Sequence, residues 1–240
     1  MELSIKKEYI NRSKKRCIAY GITKNTVSGE RILSPNELQA RLGDNRELLM
    51  AAAPFMEELY NFVKGSNFFA ILSDKEGCIL NIIGDEDILS EAYSINMIPG
   101  AFMNEESIGT NAVGTSLIEG IPIQISGDEH YIHAYSRWTC SAAPIIVKGE
   151  IIGSLDLTGY SDLVHSHTLG MVVAAAKAIE KIIEMNGYNK KLSYDKIHLN
   201  KILDSLDAGI ITADITGKIN MVNSQMIDMF GYNEKEILDK

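Results

Sequence analysis

The hydrophobic and polar positions of the first 65 residues have the spacing of helices. A first helix is predicted over residues 5–19. The segment Ser34-Pro35-Asn36-Glu37 is a capping box, with proline at the first helical position, and marks the start of a second helix. Over residues 47–63 hydrophobic side chains recur at three and four positions, which predicts a third helix that Pro54 would kink or divide.

At Phe68 the pattern changes to short hydrophobic runs that are typical of strands. FFAILSD and CILNIIG flank Lys75-Glu76-Gly77 and predict one hairpin. TCSAAPIIV and EIIGSLDLTG flank Lys148-Gly149 and predict another. Between and after these hairpins the pattern predicts helices over residues 85–93, 106–118 and 167–186, and a loop over residues 94–105.

A further segment starts near Leu192. Residues 197–206 are predicted as a helix, GIITADITGKINMVN as a hairpin around Asp214–Gly217, and SQMIDMFGY as the start of another helix. A unit of roughly 45 residues is near the lower limit for burying a core alone. We therefore expect this segment to be the front of a larger domain.

Composition and charge narrow the class of protein. The 240 residues are 45% hydrophobic and 23% charged, which is ordinary for globular proteins and excludes a disordered or fibrous chain. The net charge of -9 disfavours direct contact with nucleic acid. Cysteines at 17, 78 and 140 lack the spacing of a disulfide framework or a zinc site. The chain has no apolar stretch that could span a bilayer and no apolar signal core, so a cytoplasmic location without membrane contact is expected.

The segment Glu106–Ile118 is the most unusual stretch. On one helix Ser107, Asn111 and Thr115 would lie at i, i+4 and i+8, with Thr110 on the same face. Two glycines in such a helix cost about 1 kcal/mol each relative to alanine. Two interpretations stay open: a polar face that lines a ligand cavity, or close packing on a sheet with the hydroxyls bonded back to the helix. The GxxxxG spacing is not a phosphate loop, because the lysine and the preceding strand are missing.

The segment Gly127–Cys140 is a second stretch that is rich in side chains able to bind ligands or metals. Its notable side chains are Glu129, His130, His133, Tyr135, Arg137, Trp138 and Cys140. His130 and His133 could share a metal with a nearby carboxylate. An ordered loop that packs its aromatic side chains over the sheet is favoured, since no HExxH-like spacing supports a ligand set. Cys140 is interpreted as a buried structural thiol.

The strand after Glu150 places an acid among small residues. Alternation puts Ile151, Gly153, Leu155 and Leu157 on one face and Ile152, Ser154, Asp156 and Thr158 on the other. An acid in mid-strand could mark a cavity wall. The alternative is a solvated face, which antiparallel sheets often have.

Several of these motifs together resemble one family. GTNAVGTSLIEG, a histidine-bearing loop, TCSAAPI, GSLDLTG and a histidine-rich turn into an alanine-rich helix are similar to the N-terminal sensor regions of sigma-54-dependent transcriptional activators of the acetoin catabolism regulator type. The resemblance covers nearly the whole chain, and GTNAVGT with TCSAAPI is its specific part. Two features differ: Lys14 and Lys15 stand where a tryptophan usually precedes the Arg-Cys pair, and the family's central ATPase and helix-turn-helix domains are missing.

The resemblance implies an α+β fold. It implies a helical N-terminal lead-in at residues 1–54, a GAF sensor domain at residues 55–187, and a linker helix with the N-terminal part of a PAS domain at residues 188–240. A GAF domain has an antiparallel sheet with helices on one face and a ligand pocket on the other. The polar helix face, the loop and the Asp156 face would then surround one cavity that binds a small metabolite. The expected ligand-binding residues are Ser107, Thr110, Asn111, Thr115, Glu129, His130, His133, Tyr135, Trp138, Cys140 and Asp156.

The resemblance also implies how the chain acts. Ligand binding would shift the population of two arrangements and signal along the helix after His167 to downstream ATPase and DNA-binding domains and to sigma-54 RNA polymerase. That helix could pair in a homodimer or pack inside its own domain. Its hydrophobic positions are Leu169, Val172, Val173, Ala176, Ile179, Ile182 and Ile183. No catalytic residue, cofactor or metal is expected, and the chain is not expected to be an enzyme.

Two other classes of function remain as alternatives. Some GAF domains are thiol enzymes that reduce methionine sulfoxide, and Cys78 and Cys140 would have to meet at a pocket for this chemistry. A protein-interaction module without a small ligand, with a metabolic enzyme subunit as partner, is the third possibility.

Overall fold

The structure is a computed structural model that describes residues 3–26 and 29–231. The chain forms two compact units, Met1–Glu184 and Met185–Lys240. The finer division predicted from the sequence, with boundaries after residues 54 and 187, stays a prediction. The helices are α1 (Leu3–Ala19), α2 (Pro35–Asp44), α3 (Arg46–Val63), α4 (Glu86–Ser94), α5 (Glu105–Ile108), α6 (Ala112–Glu119), α7 (Ser166–Asp204) and α8 (Ser224–Phe230). The strands are β1 (Phe68–Asp74), β2 (Ile79–Gly84), β3 (Ile123–Ser126), β4 (Trp138–Val147), β5 (Glu150–Tyr160), β6 (Ile211–Ala213) and β7 (Ile219–Val222).

The helices of the lead-in follow their local signals. The backbone N–H of Ser34 donates to Oε2 of Glu37 at 2.8 Å, and the N–H of Glu37 donates to Oγ of Ser34 at 3.5 Å, so the predicted capping box starts α2. Pro54 lies inside α3 and does not divide it. Buried side chains on both sides of Pro54, among them Leu48 and Met56, pack into the core, and this packing outweighs the loss of one backbone hydrogen bond.

The first unit is built on a five-stranded antiparallel sheet with the order β2-β1-β5-β4-β3. Both predicted hairpins are present. The β4–β5 turn is tight because Lys148 and Gly149 have φ angles of 53° and 84°, which suit the right-handed twist of the two strands. The short strand β3, which the sequence analysis did not anticipate, pairs with β4 at the sheet edge.

Both faces of this sheet are buried. Leu155 and Leu157 of β5 belong to a core formed with α3 and α7. Ser154, Asp156 and Thr158 point to the other face and are also buried, so the predicted alternation is right but the solvated-face interpretation is wrong. The reason is that α1, α4, α5, α6 and the loop after β3 cover this second face. The alternation fails at Ile152, which packs with the α3 and α7 core beside a register shift in the β4–β5 ladder.

The predicted single helix over residues 106–118 is wrong. The segment forms two short helices, α5 and α6, which are separated at Gly109. Gly109 has a φ angle of 70°, outside the helical region, and Asn111 begins α6 as its N-cap. Ser107, Asn111 and Thr115 therefore do not share one helix face.

The second unit contains the later part of α7, the β6–β7 hairpin and α8. The two helices predicted at residues 167–186 and 197–206 are one helix, α7. Asn223 connects the unit: its Oδ1 accepts from the N–H of Ile210 at 2.8 Å, and its Nδ2 donates to the carbonyls of Leu203 and Ala208, both at 2.9 Å. The part of the predicted PAS segment at residues 232–240 lies outside the described residues.

Candidate functional site

The α5–α6 segment uses the side chain of Asn111, one of the predicted ligand-binding residues, for its own geometry. Oδ1 of Asn111 accepts from the N–H of Gly114 at 2.9 Å, and Nδ2 donates to the carbonyl of Gly109 at 2.8 Å. Ser107 is half-buried in α5, where its N–H donates to Oδ1 of Asn104 at 3.0 Å. Asn111 thus serves as a helix cap in this structure.

The hydroxyls of Thr110 and Thr115 face α1. Oγ of Ser13 donates to Oγ1 of Thr110 at 2.8 Å, and Oγ1 of Thr115 donates to Oε1 of Glu105 at 2.9 Å. Sγ of Cys17 lies 3.4 Å from Oγ1 of Thr110. Thr110 and Thr115 of the predicted polar face do lie together, but the N-terminal helix contacts both hydroxyls.

Charged pairs lie beside the hydroxyl groups of Ser13, Thr110 and Thr115. The guanidinium of Arg16 donates to both carboxylate oxygens of Glu105, at 2.7 and 2.9 Å, and to Glu119 at 2.8 Å. Lys6 of the same helix donates to Glu129 at 2.6 Å. The sequence analysis did not single out Arg16 or Glu105, and no local signal could have done so because 89 positions separate them.

Asp156 lies in a mostly apolar row on the covered face of the sheet. Its neighbours across the strands are Ile71 and Ala142. Its carboxyl accepts from Oγ1 of Thr158 at 2.5 Å, while Oδ1 has no partner among residues 3–26 and 29–231. Burial raises the pKa of Asp156 to about 7, and the bond from Thr158 opposes this only in part.

Trp138 and Cys140 occupy neighbouring positions on the same face. The Trp138 ring stacks on Tyr160 at 5.3 Å and meets the edge of Phe69 at 5.6 Å, and its Nε1–H has no acceptor in the described part of the chain. Cys140 is opposite Thr158. Burial, with a smaller contribution from Asp156, raises the pKa of the Cys140 thiol well above its usual value. Burial raises the pKa of the Tyr135 phenol, and the nearby Cys140 adds a smaller contribution in the same direction.

His130 and His133 border a separate cleft between α1 and the loop. Nδ1 of His130 lies 3.0 Å from the carbonyl of Gly127, and burial lowers its pKa to about 4. His133 is exposed, and Glu129 is engaged by Lys6 and by the N–H of Ser126. Within the described residues no three His, Cys, Asp or Glu side chains are arranged to hold a metal ion.

The predicted site residues therefore fall into three places. Asn111 caps α6, Ser107 lies half-buried in α5, and Thr110 and Thr115 contact α1. Glu129, His130 and His133 lie beside the outer cleft. Tyr135, Trp138, Cys140 and Asp156 lie on the covered face of the sheet. Their role in ligand binding stays a prediction. The expectation of one continuous cavity wall rested on the undivided helix, which the break at Gly109 removes.

This architecture is that of the GAF fold: helices α3 and α7 cover one face of an antiparallel sheet, and helices and a long loop enclose polar groups on the other. Residues 47–183 match the GAF domain, and the chain belongs to the GAF family. Residues 197–240 match the PAS fold.

The curated relatives confirm the resemblance to transcriptional regulators. The chain is 42% identical over 234 residues to a signal-transduction and transcriptional-control protein of Clostridium beijerinckii, covering 97% of this chain and 37% of that protein. It is 34% identical over 178 residues to AcoR, the acetoin dehydrogenase operon transcriptional activator of Bacillus subtilis, covering 74% and 29%. The chain thus spans about a third of the length of these two relatives.

A solved structure supports the fold. The structure of the Escherichia coli DhaR(N)–DhaL complex matches with a TM-score of 0.91 at 19% identity, covering 97% of this chain and 79% of that one. This likeness concerns the fold alone. Among the described residues, none of the helices combines the length and apolar character needed to cross a membrane.

Proposed function

We propose that this chain is the signal-sensing regulatory region of a sigma-54-dependent transcriptional activator, whose GAF domain binds a small metabolite on the covered face of the sheet. The family and the operon regulators among the relatives support a regulatory role. In the full-length regulator the signal would pass to ATPase and DNA-binding domains and to sigma-54 RNA polymerase. The segment itself would contact neither nucleic acid nor a membrane and would need no cofactor.

The observation that carries the proposal is a set of unsatisfied polar atoms on one face of the sheet. Oγ of Ser73, Oδ1 of Asp156 and Nε1 of Trp138 lie on the adjacent strands β1, β5 and β4, are buried, and lack hydrogen-bond partners in the described chain. Each unsatisfied buried group costs about 1–3 kcal/mol. Ser73 is opposite Ser154 and Trp138 is opposite Tyr160, about 20 Å apart along β5, so a small ligand beside Asp156 would satisfy its Oδ1 and at most one of the other two atoms.

The surroundings of these atoms suggest the chemistry of the ligand. Phe69, Ile71 and Ala142 supply apolar surface around Asp156, as in small-molecule pockets with few polar groups. With a pKa of about 7, Asp156 can donate a hydrogen bond when protonated and accept one when ionised. Small hydroxylated or amino metabolites fit this arrangement best.

Strand β5 offers a route for the signal. Asp156 faces the proposed ligand, while its neighbours Leu155 and Leu157 belong to the core that α7 shares with the sheet. A displacement of β5 on ligand binding would therefore reach Val172 and Ile179 of α7 directly. The helix would transmit two arrangements whose populations depend on the ligand.

The later part of α7 would form the homodimer contact. Val172, Ala176, Ile179 and Ile183, which the sequence analysis considered for pairing, are buried in their own domain. Farther along, exposed hydrophobic side chains recur with a seven-residue period. Met185, Leu192 and Leu199 recur every seven residues, and Tyr188 and Ile202 lie three positions after Met185 and Leu199, with Asp195 at the intervening position of this second row. This period is that of a coiled coil and fits a second copy of the helix.

A thermal-shift screen of the 240-residue chain against diols, amines, amino acids and short acids tests the proposal. A ligand at about 100 times its Kd adds about 2.7 kcal/mol to the free energy of unfolding. We expect the stabilisation to disappear in Asp156→Asn and to persist in the matched control Asp162→Asn, whose carboxyl is exposed. A metabolite that stabilises Asp156→Asn and the parent chain equally would contradict the proposed site.

A protein partner is the second candidate function. The structural neighbour DhaR(N) was solved in complex with DhaL, so a chain of this fold can bind another protein. Pull-down with the 240-residue chain in the absence and presence of metabolite separates the two candidates, because a ligand-free interaction module retains its partner in both conditions.

The thiol-enzyme alternative has less support. Cys78 and Cys140 are free and buried. Burial raises the pKa of Cys78 to about 11 and that of Cys140 well above its usual value, so neither would be a thiolate at neutral pH. We therefore favour a regulatory region without catalytic activity.

A further inference from the structure

The proposed metabolite site is closed to solvent by the elements that cover the second face of the sheet. Asp156 is 1% exposed, and Trp138 is completely buried. A metabolite can therefore reach Asp156 only when a side chain or an element that covers this face moves aside. The entrance is expected where such a movement breaks the weakest contacts.

Two of the covering elements, α1 and α6, are held by buried polar contacts. Arg16 of α1 pairs with the buried carboxylate of Glu105. Oγ of Ser116 in α6 lies 3.0 Å from Oγ of Ser154 in β5, and both residues are buried. Separating such groups leaves them unsatisfied, which costs about 1–3 kcal/mol for each group.

Tyr160, at the end of β5, is held by contacts that solvent can reach. Its hydroxyl donates to Oε1 of Glu91 in α4 at 2.9 Å, and the guanidinium of Arg137 pairs with Oε2 of the same carboxylate. The side chains of Arg137 and Glu91 are 52% and 38% exposed. Because water and salt compete for exposed charges, such a pair contributes only about 0–1 kcal/mol. Releasing the Tyr160 side chain therefore breaks weaker contacts than releasing α1 or α6.

Tyr160 also lies at the end of the row of side chains that contains Asp156. Alternation puts both residues on the same face of β5, about 13 Å apart along the strand. Tyr160 is half-buried, and its ring stacks on the buried ring of Trp138 with centroids 5.3 Å apart. Arg137 lies over both rings, 5.2 Å from the Trp138 centroid and 5.5 Å from that of Tyr160. Movement of Tyr160 would uncover Trp138 and open this row toward Asp156.

We propose that Tyr160 is the gate of the metabolite site, held closed by Glu91 and Arg137, and that a ligand enters when the Tyr160 side chain turns outward. This inference rests on the proposed function, because it describes how that ligand enters. Ile88 and Ala92 are buried in the core and keep α4 in place while the gate opens. The movement is thus that of one side chain, which is much faster than unfolding of the domain.

Acrylamide quenching of tryptophan fluorescence tests the gate on the 240-residue chain without any metabolite. Trp138 is the only tryptophan, and acrylamide is a small neutral amide, so quenching reports how often a molecule of this size passes Tyr160. We expect Glu91→Ala and Tyr160→Phe to raise the bimolecular quenching constant, obtained from lifetimes, at least about threefold. Each variant removes the hydrogen bond between Tyr160 and Glu91 and keeps the aromatic ring.

Arg12→Met is the matched control. Arg12 of α1 pairs with Glu119, and its side chain is 45% exposed, so this variant loses an exposed ion pair of another element that covers the same face. We expect its quenching constant to equal that of the parent chain. Equal quenching in the parent chain and Glu91→Ala, or an equal rise in Arg12→Met, would overturn the gate.

Failure of the gate and failure of the proposed function give different results. If a metabolite stabilises the chain in the thermal-shift screen but Glu91→Ala leaves quenching unchanged, the gate is wrong and the site stands. If Glu91→Ala raises quenching but no metabolite stabilises the chain, the proposed function is wrong, and with it the role of Tyr160 in admitting a metabolite.

Discussion

The guanidinium of Arg16 donates hydrogen bonds to both carboxylate oxygens of Glu105, at 2.7 and 2.9 Å, although the two residues are 89 positions apart in the sequence. Glu105 is completely buried, and the Arg16 side chain is 26% exposed. Thr115 donates to the same carboxylate. The pair therefore joins the N-terminal helix to the α5–α6 segment through a charge that has no access to water.

We expect Arg16→Met to destabilise the protein by about 3 kcal/mol, because it leaves the buried carboxylate of Glu105 without its counter-charge. Arg12→Met is the matched control. Arg12 also pairs with Glu119, but its side chain is 45% exposed, so its loss should cost no more than about 1 kcal/mol. Urea unfolding at neutral pH measures both values. If both variants lost the same free energy of unfolding, the Arg16–Glu105 pair would hold α1 on the domain no more strongly than the exposed Arg12–Glu119 pair.

Cys17 provides a local probe of α1 docking. Its thiol is fully buried, lies 3.4 Å from Oγ1 of Thr110, and has a pKa raised first of all by burial. Alkylation by iodoacetamide should therefore be slow and should require α1 to open. In Arg16→Met we expect labelling of Cys17, followed by mass spectrometry, to become at least about tenfold faster. Cys140, buried under the sheet face, is the internal control for global unfolding, and Cys17 should be labelled faster than Cys140 in both proteins.

Gly109 and Gly170 form a matched pair of glycines for a stability test. A Cβ on Gly109 would lie 2.6 Å from Cβ of Tyr131, and the residue has a φ angle of 70°. Gly170 lies in α7 with no neighbouring atom within 4 Å of such a Cβ. We expect Gly109→Ala to lower the free energy of unfolding by about 2 kcal/mol or more. Gly170→Ala should raise it by about 0.5–1 kcal/mol, since alanine is the better helix former.

Those elements that depend on near neighbours in sequence were predictable. The Ser34 capping box, the Lys148-Gly149 turn and the alternation around Asp156 each involve residues a few positions apart. The break at Gly109 was missed because the flanking residues fit a helix; the structure shows that glycine is required there, since its φ angle is 70° and an added Cβ would lie 2.6 Å from Cβ of Tyr131.

The residue types of the candidate site could be predicted from the sequence, but the contacts that these residues make could not. The sequence identified Thr110, Thr115 and Asp156 as unusual polar residues, and the structure buries all three. It could not show that Ser13 and Glu105 bond to the two threonines, because these contacts join segments distant in sequence. Periodicity gives the face of a residue, whereas the partner on that face depends on tertiary packing.

The exposed hydrophobic side chains that recur along the later part of α7 predict that the chain forms a homodimer. Leu192→Asp with Leu199→Asp would place charges in the proposed dimer contact and should convert a dimer to a monomer in sedimentation equilibrium. Lys190→Asp with Lys201→Asp is the matched control, since it adds charge changes to the same helix outside the hydrophobic register. A monomer in the parent chain, or a dimer in the leucine variant, would contradict pairing through this helix.

Asp156 gives the chain an unusual dependence of stability on pH. Its pKa rises from an ordinary value of 3.8 in the unfolded chain to about 7 in the folded one. Between these pH values the folded state binds more protons, so the free energy of unfolding falls as pH rises from about 4 to about 7 and then levels off. At about 1.4 kcal/mol for each pH unit, the loss is on the order of 4 kcal/mol.

Asp156→Asn isolates this contribution. The amide resembles the protonated carboxyl in shape, so the variant should match the parent chain near pH 4 and exceed its stability by a few kcal/mol at pH 8. His130 acts in the opposite sense: its pKa is lowered by burial to about 4, so it removes stability as pH falls below about 6.5. Because His130 is present in both proteins, its effect cancels when their urea unfolding is compared at each pH. A difference between them that stays constant from pH 4 to pH 8 would mean that Asp156 remains ionised in the folded state, and its unsatisfied oxygen would then be an acceptor for a cationic ligand and not a donor to a neutral one.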